Sequence, residues 1–233
     1  MRLANSDAHC HDRDGWAAAE AAPLFTGVPP EDFKRISTAA RLKRLVRDEM
    51  LYSEGDGVEH VFLLISGLVK ITQLEVMLRL GAPGDVFDTV SLFSTGRHST
   101  TAKAIRRCRA VVWDAGMFKD LVEGLPVLRQ NMTRLICGHL QLLDERLREV
   151  ATEHVAPRVA RQLIRLQEQV GSPEKGLVEI GISREGLAQM TGTTLYTVSR
   201  LLSTWEEHGL VTCRGESMMI SDIRALRKIF EEN

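Results

Sequence analysis

The sequence predicts an α+β chain of three successive textures: short strands that close as a β-roll (a jelly roll), one long helix, and a helical C-terminal part ending in a β-hairpin. Three observations carry this reading. Between residues 40 and 115, strand-length apolar runs alternate with glycine-containing turns. From Met117 the apolar spacing changes to steps of three and four. After Pro157, two short helical segments flank a glycine turn and lead into two strand-like runs.

The strand runs are Leu51-Tyr52, Val61 to Ile65 and Leu68 to Ile71, punctuated by Gly55-Asp56-Gly57, Gly67 and Pro83-Gly84-Asp85. Short strands at this spacing read as a sandwich or barrel. One place resists the pattern. Leu68 to Thr72 and Leu74 to Leu80 both alternate as strands, yet Ile71-Thr72-Gln73-Leu74 holds no Gly, Pro, Asn or Asp. A tight reversal normally needs one of these. The expectation is one unbroken strand, or a loop absent from the chain, and no two-residue turn.

The long helix starts near Pro126, where a missing N–H costs little. Met132, Ile136, His139 or Leu140, Leu143, Leu147 and Val150 form one apolar seam along it. A seam in coiled-coil register calls for a second helix, so a homodimer is expected. Its interface would hold Met132, Ile136, His139, Leu143, Leu147 and Val150. His139 reads as a hydrogen-bonded interface histidine.

In the third part, Val159, Leu163 and Leu166 mark a helix that ends near Gly171-Ser172-Pro173, followed by a strand from Leu177 to Ile180. Ser183 can cap a short helix ending at Met190, and Thr191-Gly192-Thr193 makes a tight turn. A second helix runs from about Leu195 to His208, closed by Gly209. Leu210 to Cys213 and Ser217 to Ile220 pair around Arg214-Gly215-Glu216. Helix, turn, helix and hairpin is the plan of a winged helix-turn-helix. The expected divisions are an arm of uncertain order at 1–22, the β-roll at 23–118, the hinge and dimerisation helix at 119–152, and the winged unit at 153–233. Trp113 and Trp205 read as core.

Composition removes several function classes. The longest uninterrupted apolar run, Val61 to Ile65, is too short to span a bilayer, and the N-terminus carries Asp7, Asp12, Asp14 and Glu20 instead of a secretory signal. A cytoplasmic chain with no membrane partner is expected. Cys10, Cys108, Cys137 and Cys213 are scattered, so neither a disulfide framework nor a zinc ribbon is expected. The formal net charge is −1, and basic and acidic residues balance within 155–233. Any nucleic-acid surface must therefore come from the placement of its charges.

These pieces resemble the cAMP receptor protein/FNR (Crp/Fnr) family of bacterial transcription regulators. The sensor half of the resemblance rests on Leu51 to Asp56, Val61 to Lys70 and Pro83 to Phe87. The other half rests on Leu187 to Thr194 leading into Thr197 to Leu202. The resemblance implies a β-roll like a cyclic-nucleotide-binding domain, and as partners double-stranded DNA, a second copy of the chain, RNA polymerase and an unidentified effector. It implies no catalytic residues.

Within the helix-turn-helix, Ala188 is small where the helices cross, and Val198, Leu201 and Leu202 form the buried side of the second helix. Leu195, Tyr196, Ser199 and Arg200 then face a major groove, where Arg200 can donate twice to a guanine. Thr193 and Thr194, at a helix start, suit phosphate contacts, and Arg184 is counted with the DNA-binding residues. Where cAMP-responsive members read bases with an Arg-Glu pair, this chain has Leu195-Tyr196, so its half-site should differ.

The effector pocket implied by the resemblance comprises Asp88, Thr89, Val90, His98, Ser99, Thr100, Leu143 and Asp144. The family's phosphate-binding Glu and Arg fall at Thr89 and Ser99, and the adenine-facing Thr-Ser pair falls at Leu143-Asp144. Without a guanidinium the site loses bidentate neutralisation of a phosphate. These residues argue against cAMP. The iron–sulfur cluster of the FNR branch needs a close run of N-terminal cysteines, and only Cys10 is there. His9-Cys10-His11 offers ligands for a metal or haem, though a polar tail is the plainer reading. Two alternatives stand beside this reading: a cupin-like metalloenzyme, for which the β region supplies only His60 and His98, and a regulatory cyclic-nucleotide module, which would not need a helix-turn-helix.

Overall fold

The computed structural model describes residues 13–87, 89–170, 179–215 and 217–231. They form two compact units: residues up to 70 with 81–139, and residues 71–80 with those from 140 onward.

In the first unit, α1 (Arg13–Glu20) and α2 (Pro30–Thr38) precede the strands. The strands are β1 (Ala40–Leu45), β2 (Met50–Tyr52), β3 (His60–Ser66), β4 (Val69–Gln73), β5 (Val76–Gly81) and β6 (Val86–Phe87), residues 71–80 of β4 and β5 being grouped with the second unit. The short α3 (Thr89–Phe93) then leads to β7 (Thr101–Ala104) and β8 (Cys108–Asp114). One sheet runs β1-β8-β3-β6 and the other β2-β7-β4-β5. β8 is antiparallel to both β1 and β3, with Val61 opposite Trp113. Val61 to Ile65 are all buried, so β3 is covered on both faces, which is why it reads as a continuous apolar run.

The core gathers Leu24, Phe25, Ile36, Val61, Leu63, Val111, Trp113 and Phe118. The Trp113 indole donates to the Ile36 carbonyl at 3.0 Å, so the ring is buried without an unmet donor. Asn131 does the same for the N-terminal segment, donating to the carbonyls of Leu24 at 2.9 Å and Thr26 at 2.8 Å. Gly67 has φ +99°, and a Cβ there would lie 2.5 Å from the Cys108 sulfur, so only glycine fits.

Within the segment drawn as an arm at 1–22, the described residues form α1, which buries Ala19, and Ala22 lies in the same core. One expectation is corrected, the reversal after β4. A two-residue turn, Leu74-Glu75, joins β4 to β5, with φ +47° and +66°. Positive φ at both central positions belongs to the primed turn that suits strand twist. The chain adopts it without Asn or Gly, so the hairpin forms at a conformational cost of about 1–2 kcal/mol per residue.

α4 (Ala115–Gly124) is capped by Asp114, which accepts from the N–H groups of Gly116 and Met117. α5 (Pro126–Thr152) follows as one helix of 27 residues. Met132 is 5% exposed and packs in the first unit's core, so it does not belong to an exposed seam. That seam begins at Ile136 and continues through Leu140, Leu143, Leu147 and Val150, all at least 39% exposed. His139 is half-buried.

The second unit continues with α6 (Val155–Val170), β9 (Glu179–Ile180), α7 (Arg184–Met190), α8 (Leu195–Glu207), β10 (Val211–Arg214), β11 (Ser217–Ile220) and α9 (Ile223–Glu231). Its sheet runs β10-β11-β9, with Val211 opposite Ile220 and Arg214 opposite Ser217. Val159, Leu163, Leu187, Val198, Leu202, Val211 and Leu226 form its core, with Trp205 7% exposed. The α+β order of β-roll, long helix and winged helix-turn-helix is as expected from the sequence. Asp88, the triplet His9-Cys10-His11 and the segment from Gly171 to Val178 lie outside the described residues. No helix among the described residues is long and apolar enough to cross a membrane.

Candidate nucleic-acid interface

α7 begins where Ser183 accepts a hydrogen bond from the Gly186 N–H at 3.1 Å. It ends where the buried Thr191 donates its hydroxyl to the Leu187 carbonyl at 2.7 Å. Gly192 follows with φ +61°, and the Thr193 N–H reaches back to the Ala188 carbonyl at 3.0 Å. This left-handed residue turns the chain and satisfies a carbonyl at the end of α7. Ala188 is 3% exposed and small, as a close helix crossing requires.

Thr194 caps α8, accepting from the Thr197 N–H at 3.1 Å. Val198 and Leu202 are fully buried, while Leu201 is half-buried. On the other side of α8, Leu195 is 50% exposed and Tyr196 75%. Thr194 and Arg200 are exposed, and Thr193, Ser199 and Arg184 are half-buried. Every residue read from the sequence as DNA-facing therefore has accessible surface, Arg184 at the start of α7 and the others at the start or along the exposed side of α8.

Sequence reading missed the residue that fastens this element. Arg158, in α6, is 8% exposed. Its Nε donates to the Thr191 carbonyl at 3.2 Å, and its Nη1 donates to the carbonyls of Glu153 at 2.8 Å and Val150 at 3.3 Å. One guanidinium thus serves the helix-turn-helix turn and the end of α5 together, using the several donors only arginine offers. The available signal was an arginine directly before the apolar Val159-Ala160.

Beside it, Glu149 is 4% exposed and accepts from Arg165 at 2.9 Å, with Arg161 at 3.3 Å. Arg161 also pairs with Glu153 and lies 4.8 Å over the Phe230 ring. Burial pulls the Arg146 guanidinium below its ordinary value, and the positive charges of Arg165 and Arg79 pull the same way against Glu149. A buried carboxylate with several arginines around it holds α5 against α6.

The residues of the implied effector pocket are distributed as follows. Thr89 is 9% exposed and Val90 60%. Ser99 is exposed and Thr100 half-buried, in the same unit. Leu143 and Asp144 are exposed on the part of α5 that belongs to the second unit. His98 is 5% exposed and stacks on Tyr52 at 4.3 Å, lining a cavity of which Thr89, Val90, Ser99 and Thr100 are not part.

A cyclic nucleotide-binding domain model matches residues 42–124, and a Crp-like helix-turn-helix domain model matches residues 157–229. The chain belongs to the Crp/Fnr family. Among its relatives, a CRP-like cAMP-activated global transcriptional regulator of Mycobacterium tuberculosis is 26% identical over 214 residues, covering 89% of this chain and 96% of its own. The cyclic AMP receptor protein of Thermus thermophilus is 26% identical over 215 residues, covering 90% and 97%. The solved structure of the c-di-GMP responsive global regulator CLP of Xanthomonas campestris matches with a TM-score of 0.68 at 17% identity, over 83% of this chain and 100% of that one. This last likeness concerns the Crp/Fnr fold alone.

Proposed function

We propose that the chain is a homodimeric, sequence-specific DNA-binding transcription regulator whose β-roll does not respond to cAMP, and that it catalyses no reaction. The observation that carries the DNA reading is the two-sided α8, with Val198 and Leu202 fully buried and Tyr196 75% exposed beside an exposed Arg200. A helix held by one side and bare on the other can enter a major groove. The homodimer rests on the bare α5 seam, and RNA polymerase enters as partner through the family. One relative above is named as cAMP-activated and another as a cyclic AMP receptor protein, but the resemblance aligns the family's phosphate-binding Glu and Arg with Thr89 and Ser99 here. The nearby Arg97 donates to the Gly55 carbonyl at 2.9 Å.

Selection of sites from random double-stranded DNA, followed by competition binding, tests the DNA reading. The expected product is a palindrome with half-sites one helical turn apart, about 10–10.5 bp. Binding with no preference between sequences would overturn it. Calorimetry with cAMP tests the sensor: no heat at physiological concentration is expected, and a micromolar dissociation constant would refute the argument from Thr89 and Ser99.

A further inference from the structure

The first unit contains a cavity of about 320 Å³ that the regulatory reading leaves unused. Its wall is a chain of rings. His98 stacks on Tyr52 at 4.3 Å, Tyr52 and Phe62 are 6.3 Å apart at 35°, and His60 meets Phe62 edge-on at 6.3 Å. Asp56 and Glu59 also line it; both are exposed, and neither carboxylate is paired among the described residues. Ring faces carry negative quadrupole potential, and a carboxylate beside them adds full negative charge. Such a pocket favours a cation with an apolar body over an anion.

His60 adds a polar handle. Arg41 has only donors, so its contact with Nε2 at 3.2 Å makes that nitrogen the acceptor and leaves the ring proton on Nδ1. Nδ1 is buried and has no acceptor. A ligand hydroxyl within reach of a small ring rotation would supply one. The same tautomer argument disfavours a metal ion on Nδ1, and no three His, Cys, Asp or Glu side chains among the described residues are placed to hold one.

We propose that this cavity is a ligand site for a small aromatic amine carrying a hydroxyl group, with its ammonium at Asp56 and Glu59 and its ring against Tyr52 and Phe62. The site is independent of DNA recognition, and its occupancy is measured on the full chain without DNA. Failure here would therefore leave the regulatory reading untouched.

The probes are three molecules of nearly one shape: 2-amino-1-phenylethanol, the neutral 1-phenyl-1,2-ethanediol and the anionic mandelate. Calorimetry should show the amine binding one-to-one, about tenfold or more tighter than either comparator. The double variant Asp56→Asn, Glu59→Gln changes two exposed side chains and leaves their backbone hydrogen bonds in place, so circular dichroism should be unaltered. It should erase the amine's preference. Nitrogen NMR of His60 should shift with the amine and not in the double variant. Equal binding of the three probes, no binding of the amine at millimolar concentration, or undiminished amine binding in the double variant would each overturn the proposal.

Discussion

The Thr194 hydroxyl accepts the Thr197 N–H at 3.1 Å and also shares a 2.9 Å hydrogen bond with the Thr197 hydroxyl. This double link fixes where α8 starts, and with it the side of the helix on which each later residue falls. Arg200 lies on the exposed side because Val198 and Leu202 take the buried one. If Arg200 grips a guanine, Arg200→Ala should cost about 1–3 kcal/mol and relax preference at one base pair per half-site. A phosphate contact would instead weaken binding evenly on all sequences and lower the salt slope by about one. Competition binding at two salt concentrations separates these outcomes. Unchanged affinity and unchanged preference would remove Arg200 from the interface.

The bare seam of α5 predicts the assembly. Leu143 is 56% exposed and Leu147 69% in the single chain. Covering Leu-sized side chains contributes about 1.5–3 kcal/mol each. Leu143→Asp should therefore give monomers that have lost DNA affinity, whereas the unaltered chain sediments as a dimer at micromolar concentration. A monomeric unaltered chain would refute the seam as an interface.

Arg158→Ala should lower stability by about 2–4 kcal/mol, because the carbonyls of Val150, Glu153 and Thr191 lose a donor that water replaces poorly. Arg158→Lys keeps the charge but not the forked geometry and should fall between the two. Urea unfolding measures the ranking. Equal stability of all three chains would show that solvent serves these carbonyls just as well.

The Leu74-Glu75 turn predicts a gain. Leu74→Asn combined with Glu75→Gly puts residues that tolerate positive φ where φ is +47° and +66°. Stability should rise by about 1–2 kcal/mol, or about 2–8 °C in melting temperature for a chain of this size. A lower melting temperature would mean that the exposed Leu74 side chain contributes more than the backbone strain costs.

Burial pushes the Cys108 thiol above its ordinary value, outweighing the Arg106 charge. The folded thiol keeps its proton at a pH where the unfolded one has lost it. Its contribution to stability is thus complete below the unfolded value of about 8.5 and declines as pH rises through it. At pH 8, iodoacetamide should label Cys108 only after urea is added, with mass spectrometry as the readout. Rapid labelling of the folded chain would contradict the burial argument.

Fold and interface were legible to different degrees. Periodicity showed β3, α5 and the pair α7 and α8, because each buries a regular set of apolar residues. It did not show α1, whose buried positions are the small Gly15 and Ala19, or α9, whose amphipathic pattern spans only nine residues. The tight turn was hidden because side-chain type reports what a backbone prefers, and here the hairpin overrides the preference of Leu74 and Glu75. Met132 matched the seam's spacing, but spacing cannot tell a helix's inner contacts from its outer ones. Arg158 and the ring-lined cavity were invisible for another reason. Both depend on residues far apart in the chain, such as Tyr52 with His98, and no local pattern joins them.

Arg158 also has a mechanical meaning. Carbonyls at the end of α5 and just beyond it, and the turn ahead of the exposed helix, hang on one planar group. They share a single peg, so removing that side chain would loosen both together and not one at a time.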